Sequence, residues 1–124
     1  MDDLIIVKSE KTPLIEFSDK GELRIEGRSY PENPLEFYQK PIKWIKEFLN
    51  KRPEKINLHV SLEYFNTGSS KLLLDIFKYL EQIKMSGSKV DLYWYYDNEN
   101  ENMLESGNDY ASILKVPFHM VKLS

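Results

Sequence analysis

Apolar and polar residues alternate strictly from Ile56 to Tyr64, through Ile56-Asn57-Leu58-His59-Val60-Ser61-Leu62-Glu63-Tyr64. Period two over nine positions predicts a strand with one face on a core and the other open to water or a partner. Shorter alternating runs predict a hairpin from Pro13 to Gly27: Leu14 to Phe17, a turn at Ser18-Asp19-Lys20-Gly21, then Leu23 to Glu26. Leu4-Ile5-Ile6-Val7 reads as an edge strand or a frayed arm. Val90 to Tyr96 and Phe118 to Leu123 are two further strands.

Period 3.6 takes over between the strands. Phe37, Tyr38, Pro41, Trp44, Ile45, Phe48 and Leu49 recur at spacings of three and four, with Pro34 suited to the first turn. Pro41 inside that stripe predicts a kink or a restart. A second helix, from about Ser69 to Met85, carries Leu72, Leu73, Ile76, Phe77, Leu80 and Ile83 on one stripe and ends at Ser86-Gly87. A weaker one runs from Met103 to Leu114, interrupted by Gly107. Two prolines, a glycine and an asparagine mark Gly27 to Pro34 as the loop between hairpin and first helix. The order β-β-α-β-α-β-α-β implies an α/β domain in one layered sheet. That sheet is mixed but mostly parallel, built by right-handed crossovers, with the hairpin antiparallel at one edge and helices mainly on one face.

Composition narrows the function classes. A chain of 124 residues is one domain, 1–124, at roughly 100 to 200 residues per domain, and 41% hydrophobic residues can fill its core. A net charge of −3 provides no field for a phosphate backbone, so nucleic acid is not expected. Absence of cysteine removes disulfides, thiolate nucleophiles and Cys-based zinc sites together. With no basic n-region and no apolar run near the ~20 residues a membrane span needs, a soluble cytoplasmic protein is expected. His59 and His119 lack any HxxxH or HExxH spacing, and no G-x-S-x-G elbow accompanies them. Asp97 to Glu101 resembles a calcium loop only superficially, because Asn102 and Asn108 stand where glycine and an acidic ligand are required. Neither metal nor catalytic site is expected.

The candidate chemistry lies in Tyr64-Phe65-Asn66-Thr67-Gly68-Ser69-Ser70-Lys71, which joins the best strand to the best helix at the strand's C-terminal end. Three hydroxyls crowd one helix start. The plain reading is that Thr67 or Ser69 caps the helix, worth about 1 kcal/mol. A second reading is an anion or nucleotide site on the free amides of Thr67 to Lys71, although the Walker pattern is absent. A third makes one hydroxyl a phosphoacceptor, since about −1.5 to −2 added charges are tolerated at a helix start while the local surface changes sign. Two further surfaces stand out. The polar faces of two strands carry Asn57, His59 and Ser61, and Asp91, Tyr93 and Tyr95, forming an interface unless the N-terminal segment or last helix covers them. The loop at Arg28-Ser29-Tyr30 is placed to bring Arg28 toward a phosphate on Thr67, or to leave it a simple surface arginine.

Several uncommon blocks occur in order: Thr12-Pro13, Gly27-Arg28-Ser29-Tyr30-Pro31-Glu32-Asn33, Phe37-Tyr38 with Trp44, Tyr64-Phe65-Asn66-Thr67 followed by Ser69-Ser70-Lys71, and Trp94-Tyr95-Tyr96-Asp97. Over nearly its whole length the chain resembles the SiaC-like regulatory phosphoproteins, which are similar to the STAS-like anti-sigma-factor antagonists. That resemblance implies a non-enzymatic partner switch without a cofactor, with Thr67 as phosphoacceptor. It also implies a cognate serine/threonine kinase, a metal-dependent serine/threonine phosphatase, and an effector that in the family is a diguanylate cyclase, which the protein activates, linking the switch to cyclic-di-GMP output and biofilm behaviour. On this reading Asn66, Gly68, Ser69, Ser70, Lys71 and Arg28 contribute to partner binding.

Overall fold

A computed structural model describes residues 1–123. In chain order the elements are β1 (Leu4–Ile6), β2 (Leu14–Phe17), β3 (Glu22–Ser29), α1 (Pro34–Asn50), β4 (Lys55–Phe65), α2 (Thr67–Met85), β5 (Lys89–Asp97), α3 (Glu101–Ile113) and β6 (Phe118–Leu123). All six strands form one sheet in sequence order. β1, β2 and β3 pair antiparallel, and β3 through β6 pair parallel. Each helix carries the chain one strand further in the same direction, so crossovers of one hand put all three on one face. The alternation agrees: Ile56, Leu58, Val60 and Leu62 on β4, and Val90, Leu92 and Trp94 on β5, are buried under the helices. The expected mixed, mostly parallel layered α/β fold is the one observed.

Trp94 is the hub of the core. Its ring lies 5.4 Å from Tyr110, 6.0 Å from Phe65 and 6.3 Å from Phe118, and its Nε1 donates to the Met103 carbonyl at 2.9 Å. Gly107 makes this possible. A Cβ there would stand 2.5 Å from Trp94 Cδ1 and 2.7 Å from Met120 Cε, so the glycine lets α3 lie directly on the indole, and the helix runs through it without interruption. α3 also begins at Glu101, two residues before the expected Met103, because Asn100 caps it by accepting from the Met103 amide at 3.1 Å.

One open alternative is resolved and two other expectations change. The terminal segment is an edge strand, with Leu4 facing Phe17, and Trp44 Nε1 ties it to α1 by donating to the Asp2 carbonyl at 2.8 Å. α1 is one continuous helix: Pro41 removes one donor but is buried in the core, and that burial offsets the lost bond. Finally, Gly27 to Ser29 belong to β3, and the loop is only Tyr30 to Asn33.

Candidate functional site

The strict alternation of β4 breaks at its last turn. Gly27 pairs with Leu62 but Arg28 pairs with Tyr64, so β4 carries one extra residue, Glu63, opposite the Gly27/Arg28 step. Such a bulge inverts the facing of everything beyond it. Tyr64, expected on the core face, turns outward, is 53% exposed and packs edge-on against Tyr30 at 5.7 Å. Phe65 turns inward against Trp94. The displaced residue and its neighbour are bridged by Arg28 Nε, which donates to Glu63 at 2.9 Å, and Glu63 raises the Arg28 pKa by that bond and its charge. Arg28 is thus engaged by a carboxylate, and no bond joins it to Thr67.

The bulge delivers the chain into α2 at Asn66. Asn66 Oδ1 accepts from the Ser69 amide at 2.8 Å, its carbonyl accepts from the Ser70 amide at 3.0 Å, and its own amide donates to the Ser29 carbonyl at 2.9 Å. Neither Thr67 nor Ser69 is the cap, and the Thr67 hydroxyl, exposed on the first helical residue, makes no hydrogen bond among the described residues. Ser70 Oγ folds back onto the Thr67 carbonyl at 2.7 Å. Gly68 is exposed, yet α1 starts alongside it, and a Cβ there would be 2.7 Å from the Pro34 ring. Lys71 is exposed one turn on.

Ser69 departs from the expected partner surface. It is fully buried and accepts from Ser29 Oγ at 2.9 Å, and Ser29 Oγ in turn meets the Tyr38 hydroxyl at 2.6 Å. Burial pushes the Tyr38 phenol up to about 12, against the opposing effect of the neighbouring Ser29 and Ser69 hydroxyls. On the other side of Thr67 a cleft of about 320 Å³ is lined by Phe65, Asn66, Thr67, Ser70, Ser106, Asp109 and Tyr110. Tyr110 closes its floor, donating to the Ser70 carbonyl at 2.9 Å, and desolvation raises its pKa well above the usual phenol value. Ser106, Asp109 and Tyr110 come from α3, which the sequence reading did not place beside Thr67. An anion in this cleft would face the Asp109 carboxylate, which counts against the nucleotide alternative.

Among the described residues neither the N-terminal segment nor α3 covers the open face of the sheet, since the first extends the sheet as β1 and the second lies on the Trp94 side. His59, Tyr93 and His119 stack across β4, β5 and β6 at 4.9 and 4.7 Å. Both histidines are spoken for: His59 by the Tyr95 hydroxyl at 2.9 Å and Glu22 at 3.2 Å, His119 by Asp91 at 2.7 Å. No group of three metal-ligating side chains occurs among the described residues, and none of their helices is long and apolar enough to cross a membrane.

Residues 6–123 match the family model described as SiaC family regulatory phosphoprotein. The chain belongs to the SiaC family. An uncharacterised protein of Pseudomonas aeruginosa strain UCBPP-PA14 is 35% identical over 119 residues, covering 95% of this chain and 94% of that protein. The solved structure of SiaC of Pseudomonas aeruginosa superposes with a TM-score of 0.91 at 32% identity, over 99% of this chain and 100% of that one. A second structure shows SiaC in complex with the diguanylate cyclase SiaD, for which it is the activator, and matches with a TM-score of 0.91 at 33% identity, covering 98% of this chain and 100% of that one. The SiaC-like resemblance read from the motif blocks is therefore established, and with it the regulatory phosphoprotein family.

Proposed function

We propose that this chain is a non-enzymatic cytoplasmic switch whose unphosphorylated form binds and activates a diguanylate cyclase and whose state is set at Thr67. One observation carries the assignment: Asn66 supplies the cap, so the Thr67 hydroxyl is exposed and structurally unemployed at a helix start. A phosphate there meets the positive end of the α2 dipole. The first turns of α1 and α3 already hold Glu36 and Glu101, whereas that of α2 holds no acid, so the helix start itself accepts the charge, against the Asp109 carboxylate in the same cleft. Its cost falls on the partner. A doubly charged group beside Asp109 and between Gly68 and the Thr67 cleft opposes docking by desolvation and repulsion. A serine/threonine kinase writes this state and a metal-dependent serine/threonine phosphatase erases it. Asn66, Gly68, Ser70 and Lys71 form the docking rim, with Arg28 beside it and Ser69 acting from below.

Phosphosite mapping of the protein recovered from its native cells tests the switch, with the Thr67 peptide fully covered across growth states. Growth-dependent phosphate on Thr67 is expected, together with loss of binding to the diguanylate cyclase in Thr67→Glu but not in Thr67→Ala. Full coverage without phosphate in any state overturns the reading.

A further inference from the structure

Beneath the proposed phosphoacceptor runs a chain of buried hydroxyls that no docking partner can touch. Ser29, Tyr38 and Ser69 are each 0% exposed. Ser29 has one hydroxyl proton and gives it to Ser69 Oγ, so the 2.6 Å bond to Tyr38 must have the phenol as donor. The direction Tyr38 to Ser29 to Ser69 is therefore fixed. It links α1, β3 and the third residue of α2, while the Ser29 carbonyl holds the Asn66 amide at 2.9 Å. Ser29 thus grips the acceptor turn twice, once through its backbone at Asn66 and once through its side chain at Ser69, leaving Thr67 between two fixed points.

We infer that Ser29 and Tyr38 are positioning residues for modification at Thr67: they hold residues 66–70 in helical form, so that the hydroxyl is offered on a rigid turn. The inference rests on the Thr67 reading for its purpose but not for its geometry. Drawing Thr67 out as an extended strand would break the Asn66 to Ser69 cap, release Ser69 from Ser29 and expose buried hydroxyls. Phosphate transfer therefore takes place on the folded turn. Ser29→Ala strands two hydroxyls at once, whereas Tyr38→Phe removes one donor and keeps the ring in place, making it the gentler variant.

Amide hydrogen exchange on the intact chain, wild type and both variants, decides the structural half. The Ser69 and Ser70 amides, which end on Asn66, are expected to exchange about fivefold to tenfold faster in Tyr38→Phe, as one lost buried bond implies. Amides of residues 76–80 in mid-α2 should change less than twofold. Equal acceleration at both places, or none at Ser69 and Ser70, overturns the inference, because it makes the hydroxyls general core polarity. Initial rates of phosphate appearance on Thr67, with native-cell extract and ATP as kinase source, decide the functional half. Tyr38→Phe should slow transfer severalfold when both proteins are assayed well below their thermal midpoints, where each is fully folded, and an unchanged rate overturns the positioning role. If the wild type is not modified on Thr67 at all, the proposed function fails, while the exchange result still rules on the turn.

Discussion

Asn66→Ala and Thr67→Ala, one residue apart, should behave oppositely. Asn66→Ala deletes the oxygen that accepts the Ser69 amide at 2.8 Å and the side-chain amide that reaches the Pro31 carbonyl at 3.4 Å. Losing a helix cap of this kind costs about 1 kcal/mol, within a range of roughly 0.5 to 2. Ser69 is buried, so its amide has no ready replacement by water, which favours the upper part of the range. Thr67→Ala removes an exposed hydroxyl without a partner and replaces a β-branched residue by a better helix former, so stability should stay within about 0.5 kcal/mol or rise slightly. With a urea dependence of roughly 2 kcal/mol per molar, the first variant lowers the unfolding midpoint by about 0.5 M or more and the second leaves it in place. Equilibrium urea unfolding followed by tryptophan fluorescence measures both, since Trp44 and Trp94 lie in the core. Equal falls for the two variants would show that Thr67 helps cap α2, and the argument that its hydroxyl is free for modification would be lost.

The bulge makes a paired prediction: Tyr64→Ala should weaken effector binding in a titration yet barely move the melting temperature, whereas Phe65→Ala should cost roughly 2 to 4 kcal/mol by opening space beside Trp94. Gly107→Ala gains about 1 kcal/mol of helix propensity but drives a methyl into Trp94 and Met120, so a net loss of about 1 to 2 kcal/mol is expected by urea titration, and a stabilised variant would show that α3 is free to move. Tyr38 keeps its proton to about 12 when folded and ionises near 10 when unfolded, and Tyr110 is shifted in the same direction. The unfolded state therefore binds fewer protons above pH 10. The tyrosine contribution is fully present below pH 10 and falls by about 1.4 kcal/mol per pH unit and group as pH climbs toward 12, a slope that Tyr38→Phe should reduce.

Most of the architecture was legible because it is written in local periods. The nine-position alternation of β4 and the stripes of α1 and α2 follow from burial on one face, and parallel pairing follows from their order. The candidate segment stands out for the same reason, as the join of the clearest strand and the clearest helix. Its internal arrangement was not legible. A bulge is a register relation between two strands, so nothing in Leu62-Glu63-Tyr64-Phe65 alone says that Glu63 is supernumerary. The buried pair of Ser29 and Ser69 depends on residues forty positions apart. The cap could have been read: Asn33, Asn66 and Asn100 each stand three residues before the amide they accept from, and Asn33 precedes Pro34 at a helix start.

The extra residue in β4 also divides the strand into two coding phases. Up to Leu62 the even positions specify the core and the odd ones the open sheet; after Glu63 the parity is exchanged. A deletion of Glu63 would thus be unlike any substitution, because it would return Tyr64-Phe65 to the old phase, swap an exposed ring for a buried one and turn α2 about its entry point. Variation within the family should accordingly respect the length of this segment more strictly than its letters, since a change of side chain here alters one contact while a change of count rewrites which face is read by the partner.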